Sequence, residues 1–122
     1  MPEEIPAGDQ EARATVKVVS PRDLQASPPP AVIFVDTSQD FARGHVPGAR
    51  WVPLGELEKV RFQLPMNRTI VCVCRSGGRS AKAAAELVQM GFKAVNMTGG
   101  MKAWAQQGLP VVHDDGSPGE VI

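Results

Sequence analysis

The run Thr69-Ile70-Val71-Cys72-Val73 is short, apolar and mostly β-branched, and Cys74-Arg75-Ser76-Gly77-Gly78-Arg79-Ser80 follows it at once. Such a run, with no polar alternation, reads as a strand buried on both faces. From Ser80 to Met90 the pattern changes, with Ala81, Ala84, Ala85 and Val88 recurring at helical spacing. A doubly buried strand, a tight Gly-bearing turn and a helix in immediate succession constrain the fold more than any other feature of the chain. A strand hidden on both faces needs cover on both sides, and strand-to-helix succession supplies it as parallel β-sheet with flanking helices.

The same alternation runs through the rest of the sequence. Thr15 to Val19 is β-branched and reads as the first strand. Ser20 is placed as an N-cap and Pro21 as the first residue of a short helix through about Gln25. Ser27-Pro28-Pro29-Pro30 ends it as a stiff connector, the alternative being a docking segment for a proline-binding module. Ala31 to Val35 is the second strand, ending in Asp36, and Asp36-Thr37-Ser38 is expected to cap a short helix through Phe41 and Ala42. Gly44-His45-Val46-Pro47-Gly48 turns into a third strand near Ala49 to Val52, and a helix from Leu54 to about Lys59 points Leu54 and Leu57 inward. Pro65 and Asn67 end that connection before the central strand. Gly91 caps the helix after the Cys loop, Ala94 to Met97 is the fifth strand, and Gly99-Gly100 opens a last helix through Gln107, closed by Gly108 and Pro110. The expected fold is an α/β domain in three αβα layers around a mostly parallel five-stranded sheet. Residues 1–14 are expected to be a flexible N-terminal arm, residues 15–112 the domain and residues 113–122 a loose polar C-terminal tail.

A chain of 122 residues with 43% apolar content can bury a core without disulfide or metal. Its 13 basic and 13 acidic side chains cancel, so no global field favours nucleic acid or an anionic membrane. The acidic first 14 residues lack the apolar centre of a secretory leader. No apolar run reaches the roughly 18 residues of a membrane span. Cys72 and Cys74 stand too close on one strand to bridge usefully, and read as thiols of a reducing, cytoplasmic setting. With His45 in a turn and His113 near the end, the chain offers no convincing metal-ligand set, and no cofactor is expected.

The chemistry therefore gathers at Cys74. In parallel sheets ligands bind beyond the C-terminal ends of the strands. Gly77 and Gly78 leave room for backbone N–H groups to converge there, and the helix start adds unpaired donors. A sulfur in that cradle, near Arg75 and Arg79, ionises readily. The alternative is a cysteine packed inertly under the turn.

The loop resembles the active-site loop of rhodanese-type sulfurtransferases. Gly44-His45-Val46-Pro47-Gly48-Ala49 after Val35-Asp36, and Gly99-Gly100-Met101-Lys102-Ala103-Trp104 with Gly108-Leu109-Pro110, match two further segments of that family in the same order. The likeness covers about residues 15 to 112. It implies a rhodanese-like domain in which Cys74 takes sulfane sulfur from a donor such as thiosulfate, holds it as a persulfide and passes it to cyanide, a thiol or a protein acceptor. It implies substrate binding by the loop residues Arg75, Ser76, Gly77, Gly78, Arg79 and Ser80. Arg suits the sulfonate oxygens, although either Arg75 or Arg79 serves equally well in an ion pair. The family often carries Arg two residues after the position of Asp36, where this chain has Ser38. In the family His45 belongs to a structural turn. Asp36 is expected to cap or hold the loop, Cys72 to pack in the core or act as a resolving thiol, and Trp104 to pack the last helix or wall the pocket. Two other functions stay open: a non-catalytic binding, regulatory or sulfur-carrier module, and a phosphatase or arsenate reductase, whose Cys-x5-Arg signature is one residue longer than the interval from Cys74 to Arg79.

Overall fold

The run Thr69–Val73 (β4) is the middle strand of the sheet. In a computed structural model of the chain, which describes residues 16–26 and 32–121, it lies among Lys17–Val19 (β1), Ile33–Asp36 (β2), Arg50–Trp51 (β3) and Lys93–Met97 (β5). The order is β1-β5-β4-β2-β3, and every pairing is parallel. The chain leaves β2 outward to β3, then returns to β4 on the other side of β2 and continues to β5. The connections after β2 and β4 therefore diverge, which opens a crevice at their C-terminal ends.

Among the described residues four α-helices accompany the sheet: Pro21–Ala26 (α1), Leu57–Val60 (α2), Gly78–Gln89 (α3) and Gly100–Gln106 (α4). Alternate strand residues divide between two cores, as the strand period requires. On one face Val35, Ile70, Cys72 and Ala94 pack with Leu57, Ala83, Ala84, Leu87 and Phe92. On the other Val71, Val73 and Met97 pack with Leu24, Met101 and Trp104. The sheet is thus the middle of three layers, and the small side chains of α3 hold that helix close to it.

Local signals act as their chemistry dictates. Ser20 Oγ accepts from Asp23 N–H at 3.0 Å, and Asp23 Oδ2 accepts from Ser20 N–H at 3.1 Å, a reciprocal capping box at the start of α1. Gly91, at φ +98°, ends α3; its N–H donates to Val88 O and Phe92 N–H to Leu87 O. Trp104 meets Phe34 edge to face and donates Nε1–H to Pro110 O at 2.7 Å, so it anchors α4. The expected arm at 1–14, the residue Thr15 and the Ser27–Pro30 connector lie outside the described residues.

The sheet agrees with the expected αβα, mostly parallel five-stranded architecture, every pairing being parallel. Two expectations are corrected. No helix starts at Asp36-Thr37-Ser38; Asp36 Oδ1 accepts from Ser38 N–H at 2.8 Å, and only a single 3-10 turn follows at Phe41–Arg43. The expected Leu54–Lys59 helix is one α-turn, α2, flanked by 3-10 turns at Leu54–Glu56 and Arg61–Gln63.

The expected loose tail is docked instead. Glu120 N–H donates to Arg43 O at 3.0 Å, and Gly119 N–H to Val111 O at 2.7 Å. His45 and Val112 exchange a pair of backbone bonds at 2.9 and 3.0 Å, and Val121 packs on the second core. Asp114 meets His45 Nε2 at 3.3 Å, while His45 Nδ1 faces Phe41 O at 2.8 Å and its ring stacks on Phe41. A side chain on Gly44 would collide with Val111 and Glu120, so the glycine is what lets the closing segment approach. His45 is thereby a structural residue.

Asp36 is fully buried, and its Oδ2 has no hydrogen-bond partner among the described residues. Burial raises its pKa against the opposing bonds from Ser38 and the charge of His45. A carboxyl raised in the folded state lends stability below its unfolded pKa and loses it as pH rises through the folded one. Ionisation of this carboxyl as pH rises therefore weakens the fold. Asp36→Asn, which does not ionise, is expected to flatten that fall in stability with rising pH, while its unpartnered buried amide carries a pH-independent cost. Urea unfolding of both proteins across the acid-to-neutral range measures the difference in slope.

Candidate active site

Cys74 begins the connection between β4 and α3, with Sγ over the start of the helix. Gly77 makes the turn at φ +104°, a conformation that side chains rarely adopt. The turn brings Gly77 N–H to 3.0 Å and Ser80 N–H to 3.4 Å from Sγ. Ser80, fully buried on the inner side of α3, sets its Oγ 3.3 Å from the sulfur. Burial opposes ionisation of this thiol, but the Ser80 hydroxyl and the N–H groups of Ser80, Gly77 and Ser76 outweigh it and hold the pKa below the ordinary cysteine value. The lowering thus comes from local hydrogen-bond donors, where the sequence also gave weight to the two guanidinium groups.

The loop is held from below by the last helix. Met101 N–H donates to Cys74 O at 2.8 Å and Lys102 N–H to Arg75 O at 3.1 Å. The two carbonyls reach these donors only because Gly100, at φ +60°, has no side chain. A Cβ there would stand 2.6 Å from Arg75 O and crowd Cys74 O.

Above the sulfur is a cavity of about 350 Å³ lined by Cys74, Arg75, Ser76, Gly78 and Arg79, with Ser38, Gln39 and Asp40 opposite. Cys74 is only 3% exposed, so this cavity is its access to solvent. The far wall is the segment after β2, on the other side of the crevice set by the strand order. Trp51 Nε1–H fixes that wall by donating to Ser38 O at 2.9 Å.

The structure therefore brings together all the loop residues singled out by sequence. Cys74 is central, Ser76, Gly77 and Ser80 supply donors, Gly78 starts the helix, and Arg75 and Arg79 stand on the cavity wall. Cys72 lies fully buried in the core behind it, and burial first, with the neighbouring Cys74 second, pushes its thiol up to about 12. That thiol is protonated and out of reach, so the resolving role is not supported. Sequence reasoning missed two features. One is the Ser38–Asp40 wall, contributed by a distant segment. The other is Asn96 on β5, whose Oδ1 accepts from Ser80 Oγ at 2.6 Å and whose Nδ2 donates to Gly77 O at 3.2 Å. A polar residue at a buried strand position, just before Gly99-Gly100, was its only signal.

Chemically, the site presents a sulfur whose ionisation its hydrogen-bond donors favour, at the floor of a cavity that Arg75 and Arg79 also line. It can act as a nucleophile without a general base.

The family described as "Rhodanese-like domain" matches residues 21–107. A sulfurtransferase of Allochromatium vinosum is 39% identical over 88 residues, covering 70% of this chain and 82% of that protein. A chloroplastic thiosulfate sulfurtransferase of Arabidopsis thaliana is 37% identical over 89 residues, covering 62% of this chain and 74% of that protein. The crystal structure of a rhodanese-related protein from Thermoplasma volcanium superposes with a TM-score of 0.71 at 28% identity, covering 79% of this chain and 97% of the other. Over residues 21–107, which take in the Cys74 loop and Gly99-Gly100, this chain belongs to the rhodanese-like domain family.

Proposed function

We propose that the protein is a sulfurtransferase that moves sulfane sulfur from thiosulfate to a thiophilic acceptor, cyanide or a thiol, through a persulfide on Cys74. The observation that carries this reading is the ring of N–H and O–H donors from Gly77 and Ser80 around Sγ, at 3.0 to 3.4 Å. The thiolate attacks the outer sulfur of thiosulfate. A new S–S bond forms to Cys74, the old S–S bond breaks, and sulfite leaves with the bonding electron pair. The persulfide inherits the negative charge and the donors that stabilise it. Cyanide or a thiolate then takes the terminal sulfur, and the electrons of that bond return to Cys74 as thiolate. Arg75 and Arg79 line the cavity, and in this reading their side chains bind the sulfonate oxygens of the donor. Family relatives named as sulfurtransferases support the same reading.

The ring also argues against the phosphatase alternative. With one residue fewer than Cys-x5-Arg, its donors gather on the Cys74 sulfur itself, a ring suited to a projecting sulfur rather than to the several oxygens of a phosphate. The native protein is expected to form thiocyanate from thiosulfate and cyanide, to gain the mass of one sulfur atom after thiosulfate treatment, and to hydrolyse no aryl phosphate measurably. Phosphatase turnover matching its sulfur transfer would overturn the assignment. Inserting one Gly between Gly77 and Gly78 widens the ring and is expected to lower sulfur transfer about tenfold or more, as for loss of oriented donors.

A further inference from the structure

Ser80 Oγ stands between two acceptors, Cys74 Sγ at 3.3 Å and Asn96 Oδ1 at 2.6 Å. A serine hydroxyl carries one proton, so it serves one of them at a time. The amide of Asn96 is fixed in orientation, because its Nδ2 donates to the Gly77 carbonyl at 3.2 Å and leaves the carbonyl end facing Ser80. Asn96 is itself buried, 6% exposed, beside a cavity of about 210 Å³ that it lines with Val16, Val18, Gly78 and Ala81.

We propose that Asn96 is a positioning residue that competes with the Cys74 sulfur for the single hydroxyl proton of Ser80, and so sets the balance between the neutral and the anionic sulfur. In the neutral state the thiol S–H donates to Ser80 Oγ, and the hydroxyl proton rests on Asn96 Oδ1. When the sulfur releases its proton through the cavity, the hydroxyl turns to Sγ and Asn96 Oδ1 is left without a donor. An unpaired buried acceptor is costly. Asn96 thus restrains an ionisation that the Gly77 and Ser80 N–H groups promote. An anionic persulfide makes the same demand on Ser80, so the consequence for turnover rests on the proposed function, whereas the competition itself does not. Among the described residues the other titratable or charged groups near the sulfur are Cys72 behind it on β4, Asp36 at the end of β2 in register with Val73, Arg75 and Arg79 on its own side of the cavity and Asp40 opposite. All are left unchanged in the test.

The test is the rate of iodoacetamide alkylation of Cys74 against pH. In Asn96→Ala the hydroxyl belongs to the sulfur alone, and the midpoint is expected to move to lower pH, with about threefold or more thiolate at pH values well below it. In a Ser80→Ala background the same substitution is expected to move nothing. Asn96→Leu, close to asparagine in size, carries the same expectation where the smaller side chain weakens the fold. A role confined to propping up the Gly77 carbonyl would loosen the cradle and raise the midpoint, with or without Ser80. A rise, no change, or an equal shift in the Ser80→Ala background would each overturn the proposal. Absence of a persulfide in the native protein would instead strike the proposed function and leave the alkylation result standing.

Discussion

Cys74→Ser is expected to abolish sulfur transfer, by about a thousandfold or more, while Cys72→Ala keeps most of it. The two cysteines are separated by one residue and yet occupy opposite environments. Cys74 has donors from Gly77 and Ser80 on its sulfur and a cavity above it. Cys72 has neither: it is fully buried beside Val35 and Ile70, and its thiol is pushed up to about 12. A serine at position 74 keeps the shape of the cradle but offers a hydroxyl, which does not ionise there and forms no persulfide. An alanine at position 72 removes one buried sulfur and leaves a small void, a cost of about 1–2 kcal/mol that a folded enzyme tolerates. Thiosulfate-to-cyanide turnover and circular dichroism on both variants make the comparison. A folded Cys72→Ala protein that had lost its turnover would sink the single-cysteine mechanism.

Gly100→Ala is expected to be the most damaging change outside the Cys74 loop. Two effects combine there. The residue sits at φ +60°, where a Cβ costs about 1–2 kcal/mol. The new methyl would also lie 2.6 Å from Arg75 O and 2.7 Å from Arg75 C, and backbone does not yield as a flexible side chain does. Relief requires parting α4 from the loop, which breaks the bonds from Met101 N–H to Cys74 O and Lys102 N–H to Arg75 O. Overpacking of this kind adds about 1–3 kcal/mol. A loss of about 2–5 kcal/mol follows, a fall in Tm of about 10 °C or more in a domain of this size, with sulfur transfer reduced in whatever protein remains folded. Gly108→Ala is the control. It shares a positive φ of +75° but faces open space, so only the conformational cost applies. Equal losses at the two positions, read by thermal unfolding, would show that crowding of the loop carbonyls is not the reason for Gly100.

Sequence alone determined the elements whose causes lie within a few residues of one another. The β4 run, the Gly77 turn and the start of α3 follow from β-branching, from a glycine able to take positive φ and from the change of apolar period. The Ser20–Asp23 box and the Gly91 cap are likewise local, and their residue types declare them. Cys74 as the centre of the candidate site was legible for the same reason, since a strand end, a tight turn and a helix start are enough to gather donors on one sulfur. The tertiary structure decided what depends on distant segments. Ser38, Gln39 and Asp40 became a cavity wall because β2 lies beside β4 in the sheet. Asn96 reached Ser80 and Gly77 because β5 flanks β4 on the other side, with Asn96 in register with Cys72. Residues 113–122 read as a loose polar tail because their own composition buries little, but the missing side chain of Gly44 and the paired backbone of His45 and Val112 gave the described part, 113–121, a place to dock. Periodicity and turn chemistry act between neighbours in the chain, whereas strand order and register bring together residues that no short window of sequence contains.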